Sequence, residues 1–302
     1  MKITESSRQL ITKYLGHSKA YEFFTKVDKL LKKYKDRWQL SQLSFLPTDT
    51  ANLLFSCESD AYGPCVLKIC IPGPEVATEI SCLNAFDGRG YVKLWDYDFT
   101  DNVLLLERIT PGEQMWAVSG YRERAKLMAH VIRGLPIILC EQGKYPTYRT
   151  WMEKLHSDLI NKGSMEDALV YLNKALEIYD ELKKKHNRNC LLHGDMHQEN
   201  LLLNISGSYT VIDPKGVVDD PVMETARFLL NEIPCEKEKL YEMISIMSPI
   251  TGVSQEAMLK SLYIDTVLSN CWTLTDFFPS QEAFMENKKK ALTICDFVGL
   301  PL

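Results

Sequence analysis

The sequence predicts an α+β protein in two lobes, a small N-terminal lobe built on an antiparallel sheet and a larger, mainly helical C-terminal lobe. Three observations lead there. Short apolar runs separated by turn formers crowd between residues 40 and 108. Nearly everything after residue 113 carries apolar residues at helical period. The segment between them, "ITPGE" (109–113), breaks both patterns. The expected organisation is therefore residues 1–108 as the N-terminal lobe, 109–113 as a hinge and 114–302 as the C-terminal lobe.

Residues from about 5 to 36 read as a helix, because Tyr21, Phe24, Val27, Leu31 and Tyr34 recur at spacings of three and four. Strands are expected over 40–46, 51–57, 64–71, 91–97 and 102–108, with Pro47, Asp49, Gly63 and Pro64 marking the early turns. One helix interrupts them at 75–86, opened by "IPGP" and closed by "DGRG". Beyond the hinge, "YRERAKLMAHVIRGLPIIL", "TYRTWMEKLHSDLI" and "MEDALVYLNKALEIYDELKKKH" are amphipathic helices. Two short strands, 200–205 and 209–213, precede a helical C-terminus.

With 302 residues, 45% hydrophobic and 25% charged, the chain has the composition of a soluble globular protein long enough for two cores. A net charge of −5 argues against general nucleic-acid affinity, which demands a basic face, and suits a cationic partner. No run approaches the roughly 20 apolar residues that span a bilayer. The start, "MKITESSRQL", is too polar for a signal peptide, so a cytoplasmic protein without a membrane partner is expected. The nine cysteines include no Cys-x-x-Cys pair and read as reduced structural thiols.

The stretch "LLHGDMHQENLLLN" (191–204) concentrates the polar chemistry. His193, Asp195 and His197 alternate as potential metal ligands, but a catalytic metal site draws its ligands from several loops, and the other four histidines lie in no suitable setting. A phosphotransfer loop makes more demands and meets them. In protein kinases a loop Asp accepts the substrate hydroxyl proton and an Asn five positions later holds magnesium. Asn200 stands five residues after Asp195, and "VIDPKG" places Asp213 at the far end of the following hairpin, where it can share a cation with Asn200. Upstream, "CVLKIC" sets Lys68 alone in an apolar run, and a buried lysine needs an anionic neighbour. Glu75 and Glu79 share one helix face, and Glu79 continues the inward stripe of Ile80 and Leu83. The turn 47–52, "PTDTAN", contains no glycine for close backbone approach to phosphate. It offers Thr48 and Thr50 as donors instead, and leaves GTP open beside ATP.

The segments "HGDMHQENLL", "IDPKGVVDDPVMETARFL", "VLKICIPGPEVATEISCLNAFDGRGYVKLWDYD" and "LLLERITPG" resemble the aminoglycoside and hydroxyurea phosphotransferase family of antibiotic kinases, nearest to its streptomycin 6-phosphotransferase branch. The resemblance runs from about residue 40 to about 277. It implies a protein-kinase-like fold and an ATP- and Mg2+-dependent transfer of the γ-phosphoryl group to a hydroxyl of an aminoglycoside-like antibiotic, conferring resistance. By the same resemblance Asp195 is the base, Asn200 and Asp213 hold magnesium, and Lys68, positioned by Glu79, grips the α- and β-phosphates. The segment Glu107 to Pro111, with Glu107 and Ile109, reads the adenine edge. His193 reads as a strut for the loop. For His197, at the position of a kinase lysine that reaches the transferring group, structural and catalytic readings both stand, as they do for Lys215. Asp219 and Asp220, just before a helix, read as caps.

A cationic acceptor needs carboxylates from the helical lobe. Asp265, Asp276 and Glu282 are candidates, with Trp272 available to stack on a sugar ring, and "WTLTD" resembles a family segment. Two alternatives remain: a kinase of the same fold for a housekeeping amino alcohol or sugar, and a nucleotide-binding pseudokinase, which only the glycine-free turn supports.

Overall fold

The computed structural model describes residues 3–48, 50–141, 143–162, 166–232, 236–275 and 293. The chain divides into two compact units, Met1–Gly112 with Leu203–Thr210, and Glu113–Leu202 with Val211–Leu302.

In the first unit, α1 (Glu5–Arg37) begins at Thr4, whose hydroxyl accepts the Ser7 N–H, and bends at Gly16, where φ is 75°. Its buried stripe is Ala20, Phe23, Val27, Leu31 and Tyr34. Tyr21, expected on that stripe, is 74% exposed. The reason is angular. At about 100° per residue, Ala20 lies about 20° from Val27 around the helix, whereas Tyr21 lies about 120° away. Polar side chains at the helix end tie it to the segment 96–101: Trp38 Nε1 donates to Asp96 Oδ2 at 2.6 Å and the Tyr34 hydroxyl to Asp101 Oδ2 at 2.8 Å.

The sheet of this unit contains β1 (Leu40–Leu46), β2 (Leu53–Ser59), β3 (Gly63–Ile69), β4 (Leu94–Asp98) and β5 (Val103–Glu107), antiparallel in the order β1-β2-β3-β5-β4. Alternation decides what each face carries. Leu53, Phe55, Leu67, Ile69, Val103 and Leu105 pack with the α1 stripe in one core. Lys68, between Leu67 and Ile69 and in register with Leu54 and Leu104, must therefore point to the other face. There α2 (Glu75–Phe86) follows β3 and closes at Asp87, in the left-handed conformation, whose N–H returns to the Leu83 carbonyl.

After β6 (Pro111–Gln114), the second unit is mainly helical: α3 (Tyr121–Gly134), α4 (Tyr148–Lys162), α5 (Glu166–Lys183), α6 (Glu224–Glu232), α7 (Lys237–Thr251) and α8 (Gln255–Thr275). The α3 helix stops well short of the expected 139, because Pro136 has no N–H to donate and disfavours helical backbone at Leu135. Met152, Leu155, Leu172, Tyr179, Ile264 and Leu268 join α4, α5 and α8 in one core, to which Leu192 and Val217 also belong. Those two residues sit opposite each other on β7 (Cys190–Leu192) and β10 (Val217–Asp219), an antiparallel pair anchored in that core. Between them in sequence lie β8 (Leu201–Asn204) and β9 (Tyr209–Val211), joined by a turn in which Asn204 Oδ1 accepts the Ser206 and Ser208 N–H groups. Among the described residues no helix is long and apolar enough to cross a membrane, and the described cysteines are free thiols.

Candidate active site

The buried ends of β7 and β10 hold residues 193–200 from both sides. His193 is fully buried. Its Nε2–H donates to the Ile212 carbonyl at 2.8 Å and its Nδ1 accepts the Asp195 N–H at 3.0 Å, an arrangement that requires the neutral ring. Burial pushes its pKa down to about 4, which keeps it neutral. The His193 carbonyl in turn accepts from the Lys215 and Gly216 N–H groups at 2.9 and 3.2 Å. Gly194 has φ of 78° and so little room that a Cβ there would lie 2.7 Å from Val217 Cγ1. Its N–H donates to Glu224 Oε1 at 3.1 Å. Burial pushes the Glu224 carboxyl up to about 7.

This scaffold presents Asp195 with its side chain 24% exposed, accessible to a small molecule yet sheltered. Asn200 braces it: Asn200 Nδ2 donates to the Asp195 carbonyl at 3.0 Å and lies 3.1 Å from His197 Nε2. With the amide nitrogen committed, Asn200 Oδ1 is the atom left to meet a cation. The Ile212 N–H donates to the Asn200 carbonyl at 2.9 Å, which closes the hairpin one residue before Asp213. Asp213 has φ of 58°, a left-handed backbone conformation uncommon for a residue other than glycine. Among the described residues no group of three His, Cys, Asp or Glu side chains is placed to hold a metal. An amide oxygen such as Asn200 Oδ1 and a carboxylate such as that of Asp213 are oxygen donors of the kind a magnesium ion takes beside phosphate and water oxygens.

His197 Nε2 lies 3.9 Å from Asp195 Oδ2, and Nδ1 lies 4.0 Å from Glu199 Oε2. Burial pushes the Asp195 carboxyl up, but neighbouring Arg227, Lys215 and His197 outweigh it and hold the group below the ordinary carboxylate value.

Sequence reasoning missed Arg227 and Glu224. Arg227 Nε is 3.4 Å from Asp195 Oδ1 and 3.0 Å from Asp265 Oδ2, and Nη2 donates to Asp265 Oδ1 at 3.1 Å. The available signal was two charged side chains, one turn apart, inside the apolar run "METARFLL". Asp265, an expected acceptor carboxylate, needs correcting. It is fully buried and engaged by Arg227, so it has no oxygen facing solvent for a bound molecule. Trp272 is half-buried, with the Arg227 guanidinium 5.8 Å from its ring centroid and Trp151 edge-on at 5.5 Å. Asp276 and Glu282 lie outside the described residues. Of the two acids before α6, Asp220 is a cap, accepting the Val222 N–H at 3.1 Å. Asp219 instead accepts from the Tyr179 hydroxyl at 2.7 Å and Lys183 at 2.9 Å. The loop is braced by Glu224.

In the first unit, Lys68 Nζ donates to Glu79 Oε1 at 2.7 Å, both side chains being almost fully buried. Thr48 is half-buried and Thr50 exposed in the β1–β2 turn, their hydroxyls 3.4 Å apart, and Thr50 Oγ1 accepts the Asn52 N–H. Glu107 exchanges backbone and side-chain hydrogen bonds with Lys93, and Ile109 follows two residues later.

Residues 37–276 match the family described as aminoglycoside/hydroxyurea antibiotic resistance kinase. A hydroxyurea phosphotransferase from Kitasatospora aureofaciens is 27% identical over 220 residues, 70% of this chain and 62% of that protein. A streptomycin 6-kinase from Streptomyces griseus is 24% identical over 189 residues, 62% of this chain and 61% of that protein. The chain thus spans about three-fifths of the length of the curated relatives it matches. Among solved structures, choline kinase LicA from Streptococcus pneumoniae superposes with a TM-score of 0.65 at 13% identity, covering 90% of this chain and 99% of that one. Aminoglycoside phosphotransferase APH(4)-Ia, in a complex with ADP and hygromycin B, gives 0.63 at 14% identity, covering 90% and 98%. These likenesses establish a protein-kinase-like fold.

Proposed function

The chain belongs to the aminoglycoside/hydroxyurea antibiotic resistance kinase family, and from that premise we propose that it transfers the γ-phosphoryl group of ATP to a hydroxyl of a small-molecule antibiotic of the streptomycin type. The observation that carries the reading is one loop that presents Asp195, fixes Asn200 against it and returns the chain to Asn200 through a hairpin one residue before Asp213. Phosphoryl transfer asks a protein for positioning and charge neutralisation rather than covalent chemistry, and this loop supplies both. Asp195 accepts the proton of the acceptor hydroxyl as its oxygen bonds to phosphorus. Asn200 and Asp213 are the residues that hold Mg2+. Lys68, paired with Glu79, is the candidate grip on the nucleotide phosphates, with Thr48, Thr50, Glu107 and Ile109 as further nucleotide-binding candidates. Bound Mg–ATP supplies the phosphoryl group and a leaving group whose charge the metal neutralises. His197 is assigned a positioning role through Asn200.

Asp265 favours a second reading for the acceptor. With its charge spent on Arg227, one carboxylate fewer is available for a polycation, which leaves room for a small neutral hydroxyl compound or a metabolite such as an amino alcohol. Purified protein with Mg–ATP, tested on streptomycin, other aminoglycosides, hydroxyurea, choline, ethanolamine and simple sugars, separates the readings. Turnover confined to the metabolites would overturn the antibiotic assignment. Asp195→Ala is expected to lower product formation at least about 100-fold, the usual contribution of a general base; unchanged turnover would remove Asp195 from that role.

A further inference from the structure

A guanidinium in the middle of an apolar helix, tied to a carboxylate with no solvent exposure, is an expensive arrangement, and a structural ion pair alone does not account for its form. The guanidinium of Arg227 is only partly used by Asp265. Nη2 makes an aligned hydrogen bond to Asp265 Oδ1 at 3.1 Å, whereas Nε, 3.0 Å from Asp265 Oδ2 and 3.4 Å from Asp195 Oδ1, has no aligned acceptor. Nε is shared between the two carboxylates rather than docked on one. The Arg227 guanidinium carbon lies 5.8 Å from the centroid of the Trp272 ring, and Trp151 packs edge-on against that ring. The planar group is thus tied to Asp265 and neighboured by an indole, and its Nε lies within ion-pair distance of Asp195.

We propose that Arg227, anchored by Asp265 on α8, is a positioning residue that holds Oδ1 of Asp195 and so turns Oδ2 toward the acceptor hydroxyl. This rests on Asp195 being the base. The two oxygens of Asp195 are already sorted by their neighbours. Oδ1 lies on the Arg227 side and Oδ2 on the His197 side, 3.9 Å from Nε2. The main chain of Asp195 is fixed independently by His193 and Asn200, so the carboxylate rotation is the one freedom left for Arg227 to remove. Lysine cannot replace it, because an ammonium lacks the planar fork that spans two carboxylates.

Steady-state kinetics of the full chain with Mg–ATP test this. The acceptor is whichever panel compound turns over, or water, read as ATP hydrolysis, where none does. Arg227→Met should lower kcat about 100-fold with KM for ATP within twofold, since a misplaced reacting group costs rate and not nucleotide binding. Asp265→Asn should lower kcat about tenfold, and the double variant should be no slower than Arg227→Met alone, because Asp265 acts through Arg227. Arg227→Lys should fold and remain slow. Guanidinium ion added to Arg227→Ala should restore part of the rate, and none to Asp195→Ala. A folded Arg227→Lys or Arg227→Met protein with kcat within twofold of the parent, or losses at 227 and 265 that multiply, would overturn the proposal. Asp195→Ala separates the two levels. If it is inactive while the Arg227 variants are normal, only the positioning role fails. If it is active, the base assignment fails and takes the positioning role with it.

Discussion

His193 and Glu224 brace the same loop and respond oppositely to pH. Glu224, pushed up to about 7, is protonated in the folded chain at pH values where the unfolded chain is already ionised. Its burial costs nothing below pH 4.5 and progressively more as pH rises to about 7. His193, pushed down to about 4 from 6.5, contributes fully above 6.5 and loses that contribution as pH falls toward 4. Each effect is on the order of 3 kcal/mol, so between the two limits they largely cancel. Glu224→Gln keeps an oxygen for the Gly194 N–H and removes only the titration. The variant should match or exceed the parent in urea stability at pH 7.5 and then lose more than the parent between pH 6.5 and 4.5. Parallel profiles would show that Glu224 does not titrate in that window. The sequence shows Glu224 and Arg227 only as two charges one turn apart in an apolar run, without their partners. Lys68, Asn200 and Asp213 stand out as polar residues at fixed spacing in apolar surroundings, whereas Arg227 acquires its meaning from Asp265, 38 residues away on another helix. Local patterns carry no information about such a pairing.

The β7–loop–β10 segment depends on a backbone that only glycine adopts cheaply. Gly194 combines a φ of 78° with a Cβ position 2.7 Å from Val217 Cγ1 and 3.1 Å from Trp151. Both Val217 and the Trp151 helix belong to the packed core of the second unit and have little freedom to retreat. Gly194→Ala should therefore cost about 2 kcal/mol or more in denaturant unfolding, the sum of a left-handed backbone and a clash. It should also cut turnover by moving the Asp195 main chain. A variant as stable and as active as the parent would mean the loop is softer than its packing implies. Regular elements of this kind were largely legible: α2 occupies the expected 75–86, its sequence boundaries being set by "IPGP" and "DGRG". The errors fall where two periodicities compete. Tyr21 is spaced correctly from Phe24, yet the steps of three to Phe24 and Val27 drift around the helix, and the true stripe runs through Ala20 and Phe23. Local spacing is a weaker guide than cumulative angle.

The proposed function assigns nucleotide-binding roles to residues of each unit, Lys68 with Glu79 in one and Asn200 with Asp213 in the other, so its test is the stability of the full chain. Ligand at about 100 times its Kd stabilises a protein by about 2.7 kcal/mol. For units of this size that corresponds to a rise in Tm of roughly 5–10 °C. Mg–ATP should give such a rise. Asp213→Asn should lose the part of it that requires magnesium and keep the part seen with ATP alone, whereas Lys68→Met should lose both. Melting in GTP tests the β1–β2 turn separately. Thr48 and Thr50 offer hydroxyls in place of the glycine backbone that usually approaches phosphate, and such side chains do not distinguish the bases. Discrimination between ATP and GTP should therefore survive Thr48→Val with Thr50→Val while the rise in Tm shrinks for both nucleotides equally. No rise with either nucleotide, with or without magnesium, would overturn the kinase reading. A rise without product from any acceptor, water included, would leave a nucleotide-binding module instead, which makes the same melting series the dividing experiment between enzyme and pseudokinase.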